Sequence, residues 1–223
     1  MPNNNFFLIL RLEGPLQSWG LRSRWDFRDT TDAPTKSGII GLLGCALGYK
    51  KNDKRLEELD EKLKIAVRVE KVGKISTDFH TIIGKSYRAD GSISESSIVS
   101  KREYLEDWHF LVVISGPKEL LEECKNALEN PKWPVYLGRK SCIPSRPVLE
   151  EFTDKYLSIE DALRKIKWGN PLDPYYSNNK PSSLRCIVED PNGNIIQQDS
   201  IKINPFRLYS YRKLKETFVD LNQ

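Results

Sequence analysis

The apolar positions mark out the elements before any other property is needed. Phe6 to Leu12 (FFLILRL) is an apolar run of the length of a buried central strand, closed by the turn signal Glu13-Gly14-Pro15. Residues 14–33 show no period and read as irregular. Past Pro34, the trio Thr35, Lys36 and Ser37 offers N-cap oxygens and a cation, and a helix is expected over about 35–48. Its apolar residues are Ile39, Ile40, Leu42, Leu43, Ala46 and Leu47, and Gly38, Gly41, Gly44 and Gly48 recur every three or four positions. A glycine inside a helix costs about 1 kcal/mol relative to alanine. Such a series implies that something approaches the backbone closely, either a neighbouring sheet or a bound polyanion.

A second helix is expected from Asn52 as N-cap, with Leu56, Leu59 and Leu63 on one face. Ile65 to Glu70 alternates and predicts a strand. Residues 73–103 differ in kind: β-prone Asp78–Ile83 leads into a polar, serine-rich stretch from Gly84 to Ser97. It reads as a long protruding hairpin or a partly disordered loop. Trp108 to Ile114 predicts a strand, and Gly116-Pro117 opens a helix carrying Leu120, Leu121, Cys124 and Leu128, stopped at Asn130-Pro131. The next strand is expected at Val135–Leu137 or at Val148–Phe152. The order strand, helix, strand, insertion, strand, helix is most of a ferredoxin-like βαββαβ unit, an α+β fold.

The composition shifts near residue 153. Ser158-Ile-Glu-Asp is a capping pattern before a short helix to Trp168, and Pro171–Pro181 reads as a linker. Arg185–Glu189 and Ile195–Gln198 flank Asp190-Pro-Asn-Gly-Asn194, a hairpin signal. The tail from Phe206 to Lys215 alternates cations with aromatics.

A formal charge of +4 and a pI near 8.7 permit a nucleic-acid partner without requiring one. Cys45, Cys124, Cys142 and Cys186 show no CxxC spacing, and with His80 and His109 the only histidines no metal site is expected. The polar opening residues and the lack of a long apolar run predict a cytoplasmic protein with reduced thiols and no membrane partner. Lys36 precedes the glycines, so the glycine-rich helix is not a Walker A loop.

The nucleic-acid signal lies in loops that mix cations with aromatics, where bases stack on rings and Lys or Arg meets phosphate. Three stretches qualify: Gln17–Arg28, which includes Trp19, Arg24 and Trp25; Tyr136-Leu-Gly-Arg139-Lys140-Ser141; and Phe206–Lys215. Each is equally readable as a solvated basic face. His80 is a candidate general base or acid, or a strand histidine without chemistry. Asp26, Asp29 and Asp32 lie three apart but lack an acidic partner cluster.

Five blocks occur in one order: Leu8-Ile-Leu-Arg-Leu-Glu-Gly-Pro-Leu-Gln-Ser-Trp-Gly20, Pro34-Thr-Lys-Ser-Gly with Gly-Leu-Leu-Gly, Asp78-Phe-His-Thr, Arg102-Glu-Tyr-Leu, and Tyr136-Leu-Gly-Arg-Lys-Ser-Cys142. Together they resemble the "Cas five" family of the RAMP superfamily, the CasD-type subunits of type I-E CRISPR Cascade complexes, over roughly residues 6–150. The resemblance implies a modified RNA-recognition (RRM-like) domain over 1–150, a β-hairpin thumb at about 73–107, and a small β-rich C-terminal domain over 151–223. It implies a non-catalytic antiviral subunit without a cofactor that holds the 5′ handle of the crRNA. The implied partners are a CasC-type backbone subunit at the thumb, a large CasA-type subunit that reads the protospacer-adjacent motif, and, indirectly, target DNA. On this chain Thr35, Lys36 and Ser37 would hold a phosphate at the helix terminus, and Gln17, Ser18 and Trp19 would bound a base pocket. Tyr136 would stack a base, Arg139 and Lys140 would hold phosphates beside Ser141, and His80, Arg102 and Tyr104 would guide RNA at the thumb's base. Type I-C relatives cleave precursor RNA, so the alternative is a metal-independent endoribonuclease using His80 with Tyr104 or Lys36.

Overall fold

The computed structural model describes residues 5–24, 26–88, 90–169, 173, 175–176 and 181–220. Trp25 and most of the expected Pro171–Pro181 linker lie outside the described residues. In chain order the first elements are β1 (Phe6–Glu13), β2 (Leu16–Gln17), β3 (Phe27–Arg28), α1 (Lys36–Leu47) and α2 (Arg55–Lys62). Next come β4 (Lys64–Lys71), β5 (Lys74–Ile82), β6 (Ser86–Tyr87), β7 (Ile93–Ser94), β8 (Ile98–Glu106) and β9 (His109–Gly116). The rest are α3 (Lys118–Glu129), β10 (Leu149–Thr153), α4 (Ile159–Lys165), β11 (Ser183–Glu189), β12 (Ile195–Ile203) and β13 (Arg207–Asp220).

Seven strands form one antiparallel sheet in the order β10-β1-β9-β4-β11-β13-β12. One face carries Leu8, Leu10 and Leu12, Val112 and Ile114, and Ile65 and Val67, packed against residues of α1, α2 and α3 such as Ile39, Leu43, Leu59 and Cys124. The alternate positions, Phe7, Ile9, Ala66, Leu111 and Val113, pack with Ala162 and Leu163 of α4. With both faces covered, β1 has no solvent side to mark with polar residues, which is why it reads as one apolar run. Each such side chain contributes about 1.5–3 kcal/mol on burial.

Arg11 interrupts that run without exposing it. Its guanidinium meets Glu70 at 3.2 Å and Glu150 at 3.2 Å, and donates to the Lys167 carbonyl at 3.0 Å. The neighbouring Arg68 is fully buried, pairs with Glu70, and donates to the carbonyls of Leu163 and Ile166 at the C-terminal end of α4. Buried guanidinium groups here complete a helix end that has no further turn to bond with.

Several expected boundaries move. The strand after α3 is β10, the second of the two expected positions, and residues 131–148 are irregular apart from turns. The helix expected from Asn52 starts at Arg55, whose N–H is met by Asp53 Oδ1 at 3.0 Å. The hairpin expected across Asp190–Asn194 does not form: β11 and β12 both pair with β13, which lies between them. The 14-residue β13 is long enough to bond to both, and it passes so near the turn that a Cβ on Gly193 would sit 2.1 Å from the Leu214 carbonyl oxygen. Because β11 also bonds to β4, the three C-terminal strands continue the main sheet, and the boundary expected near 150 cuts through it.

At the β12 edge, α2 occupies two of the free amides. Asp60 Oδ1 accepts from the Ile201 N–H at 3.0 Å, and Glu57 Oε2 accepts from that of Ile203 at 3.2 Å. A second sheet is built on β8, with β5 and β2 antiparallel to it and β3 parallel. β5 and β8 pair over nine residues, with β6 and β7 paired beyond them, and eight of the nine β5 residues are exposed.

Candidate nucleic-acid interface

The site is built outward from the start of α1. Thr35 is its N-cap, with Oγ1 accepting from the Gly38 N–H at 3.2 Å and lying 3.4 Å from Ser37 Oγ. Gly38 lets Trp19 lie against the helix, since a Cβ there would stand 2.8 Å from Trp19 Cε3. Trp19 is buried and donates Nε1–H to Gln17 Oε1 at 3.1 Å. Gln17 Nε2 in turn donates to the carbonyls of Leu12 at 3.0 Å and Trp108 at 2.6 Å. Gln17 was expected to bound a base pocket. It is instead wholly buried, because all its polar atoms are taken up in holding the Trp19 indole and the end of β1.

The Tyr136–Cys142 loop closes over this pair. The Ser18 N–H donates to the Leu137 carbonyl at 3.0 Å, and the loop is tied by Leu137 N–H to Cys142 O and Cys142 N–H to Arg139 O, each 2.8 Å. Gly138 has φ +88°, and a Cβ there would lie 1.6 Å from the Ser18 carbonyl oxygen. Only glycine satisfies both demands.

Three adjoining hollows result. A recess of about 190 Å³ is lined by Ser18, Trp19, Thr35, Ser37, Tyr136 and Arg207 among others. It shares Gly41, Tyr136 and Arg207 with a groove of about 960 Å³ bounded by Cys45, Tyr49, Lys51, Trp133 and Lys140. On its other side it shares Ser18, Gly20 and Gly138 with a hollow of about 420 Å³ beside Arg28, Arg102 and Arg139. The three make one trough into which four stretches remote in sequence converge. Gly41 lies in its floor with nothing within 4 Å of where its Cβ would be, so the backbone of α1 is open to a ligand there.

The expected residues divide on this geometry. Ser18, Trp19, Thr35, Ser37, Tyr136, Arg102, Arg139 and Lys140 line the trough. Lys36 does not. Its ammonium is buried 2.8 Å from Glu189 and 3.8 Å from Asp60, and its main-chain N–H donates to Asp199 Oδ2 at 2.7 Å. A cation in that setting is already neutralised, so the phosphate role expected of Lys36 is withdrawn. Burial raises the Asp60 pKa, with Lys36 opposing.

Arg139 is also partly engaged. It donates to the carbonyls of Glu103 at 2.9 Å and Arg28 at 2.8 Å, and lies over the Tyr104 ring. Tyr104 is thereby buried, and cannot guide RNA as an exposed aromatic. Arg24 and Ser141 are exposed and line none of the three hollows.

His80 is exposed on β5 opposite Ser100, whereas Tyr104 stands opposite Ser76. Four residues of strand separate them, about 13 Å. With Lys36 buried against β11, the three residues named for an endoribonuclease do not form a cluster. Asp29 accepts from Ser23 Oγ and the Arg22 N–H, and Asp32 pairs with Arg185 at 2.7 Å. Among the described residues no group of three His, Cys, Asp or Glu side chains is placed to hold a metal. No helix among them is long and apolar enough to cross a membrane.

Arg207 is a cation that the sequence does not single out. It stands where the recess meets the groove, and its Nε is buried without a hydrogen-bond partner. The alternation of cations and aromatics marked its stretch, but not which cation faces inward.

A family model described as CRISPR-associated protein (Cas_Cas5) matches residues 7–211, and the chain belongs to that family. It is 35% identical over 154 residues to the CRISPR system Cascade subunit CasD of Escherichia coli (strain K12), covering 64% of this chain and 69% of that protein. Among solved structures it is similar to a chain of a CRISPR RNA-guided surveillance complex, with a TM-score of 0.77 at 29% identity over 96% of this chain and 90% of that one. It is also similar to a crystal structure of a Cas protein, with a TM-score of 0.70 at 33% identity over 96% and 95%.

Proposed function

We propose that this chain is the CasD-type subunit of a type I-E Cascade complex, a cytoplasmic, non-catalytic binder of the 5′ handle of the crRNA that caps the backbone assembly. The observation that carries the reading is the convergence of the Gln17–Arg28, Thr35–Gly41, Tyr136–Lys140 and Arg207–Tyr209 stretches on one trough. Hydroxyls, aromatic rings and guanidinium groups alternate along it, the mixture that single-stranded RNA needs for its phosphates and unstacked bases. Arg207, with its unpartnered Nε, takes the phosphate role first assigned to Lys36. Tyr136 stacks a base, and Thr35, Ser37 and Ser18 supply hydroxyls.

The strand order β10-β1-β9-β4, with α1 and α2 after its first strand and α3 after its third, supports reading the core as a βαββαβ RRM-like unit. The β5–β8 hairpin is then the thumb toward a CasC-type subunit. Its exposed Ile75, Phe79, Ile82 and Val99 suit a protein partner. A CasA-type subunit and target DNA follow from the same assignment. Against the endoribonuclease stands the separation of His80 from Tyr104 and Lys36, since general acid–base cleavage needs its groups around one ribose.

The test is incubation of the purified chain with its repeat RNA in EDTA, run on denaturing and native gels. Intact RNA with a salt-sensitive native shift is expected. A discrete cut abolished by His80→Ala would overturn the assignment.

A further inference from the structure

The first residue of α1 is held twice by one closed circuit. The Lys36 main-chain N–H donates to Asp199 Oδ2 at 2.7 Å. Asp199 takes Arg212 through two bonds, Nε to Oδ1 at 2.6 Å and Nη2 to Oδ2 at 2.8 Å. Arg212 Nη1 reaches Glu189 Oε1 at 3.0 Å, and the same oxygen receives Lys36 Nζ at 2.8 Å. Gln197 Nε2 adds another donor to Asp199 Oδ2 at 2.7 Å. The four residues come from α1, β12, β13 and β11, so the circuit joins the helix to all three C-terminal strands.

Asp199 is buried and lines none of the three hollows, so it does not itself meet a ligand in the trough. What it can do is fix a direction. A forked arginine–carboxylate pair sets the plane of both groups, and a carboxylate suits a helix N-terminus, where free N–H groups carry partial positive charge. The residues on either side of Lys36, Thr35 and Ser37, are hydroxyl residues that line the recess.

We infer that Asp199 is a positioning residue for RNA recognition: it transmits the placement of the C-terminal strands, through the Lys36 N–H, to the Thr35 and Ser37 hydroxyls. This rests on the reading of the trough as the seat of the handle. A helix-terminal donor is thereby assigned to the protein's own carboxylate, and the recess presents the Thr35 and Ser37 hydroxyls at fixed angles beside Arg207. Asp199 therefore governs discrimination between RNAs, while the number of phosphates neutralised is set elsewhere.

The experiment compares the full chain with Asp199→Ala and Asp199→Asn. Each is titrated with an RNA bearing the handle from its own CRISPR array and with a scrambled RNA of the same length, over a salt series. Asp199→Ala is expected to lower handle affinity roughly tenfold with scrambled binding and the salt slope unchanged, since the slope counts phosphate contacts. Asp199→Asn keeps an oxygen for the Lys36 N–H and is expected to recover about half of that loss on a logarithmic scale. It also keeps the side-chain shape, so it carries the test if the alanine variant fails to fold. Amide exchange at residues 36–39 is expected to quicken in Asp199→Ala while β1 and β9 stay protected. A handle preference that survives in both variants overturns the positioning role alone. No preference in the unaltered chain overturns the binding reading, and the positioning role with it.

Discussion

Arg139 lies over the face of Tyr104, its guanidinium carbon 4.6 Å from the ring centroid, while the same group donates to the Glu103 and Arg28 carbonyls. Two residues that look like separate RNA contacts thus hold each other, and tie the Tyr136–Cys142 loop to β8 and the end of β3. A lysine has neither the flat face nor the fork for this. Arg139→Lys is expected to cost about 1–2 kcal/mol in urea unfolding, from the lost carbonyl bonds and stacking. A variant as stable as the parent would mean that the bracket is not formed in solution.

Lys36 and Arg207 differ in kind, and paired variants separate them. Lys36→Ala leaves buried Asp60 without its cation and Glu189 with Arg212 alone, and is expected to destabilise the fold by about 3 kcal/mol with the salt slope of RNA binding intact. Arg207→Ala is expected to leave the melting temperature within about 2 °C, while lowering the salt slope by about one. Interchange of the two outcomes would restore the phosphate role to Lys36.

Gly41 makes a cleaner test of the trough floor. Nothing obstructs a methyl group at this helical position, so Gly41→Ala is expected to stabilise the chain by about 1 kcal/mol. If RNA lies against the α1 backbone, the same variant binds it several-fold more weakly. A gain in stability with unchanged affinity would place the RNA elsewhere.

His109 supplies a pH signature. Its Nδ1 stands 2.7 Å from the Tyr176 hydroxyl, and burial, with Lys71 assisting, pushes its pKa below the ordinary 6.5. A histidine kept neutral by the fold adds stability above its unfolded pKa, and that stability is lost as pH falls through the lower folded value. Melting temperature is expected to fall on acidification below about 6.5, and less steeply in His109→Gln. Parallel curves for the two proteins would rule out this histidine as the source.

The legible parts of this chain are those governed by near neighbours. Thr35 caps α1 and Gly48 ends it in the left-handed conformation, as local chemistry dictates, and the apolar run of β1 is a strand. The illegible parts depend on residues far apart. Asn-Gly chemistry at 192–193 marks a turn, but cannot say that β11 and β12 will run in the same direction on the two sides of β13, each antiparallel to it. Lys36 sits among hydroxyls in sequence and among carboxylates in space, because Glu189 and Asp60 arrive from β11 and α2. Gln17 reads as a loop residue, and its amide is claimed by two carbonyls and an indole in the core. Trough residues were found as stretches, since alternation of charge and ring survives in sequence while inward or outward direction does not.

The carboxylates that α2 lays along β12 also bear on crowding. Exposed strand edges recruit strands from neighbouring molecules, and the sheet would otherwise present one at full length. With Asp60 and Glu57 occupying the Ile201 and Ile203 amides, an incoming chain meets negative charge where it would need donors. Many copies can then be made side by side with this end of the edge closed to strand addition.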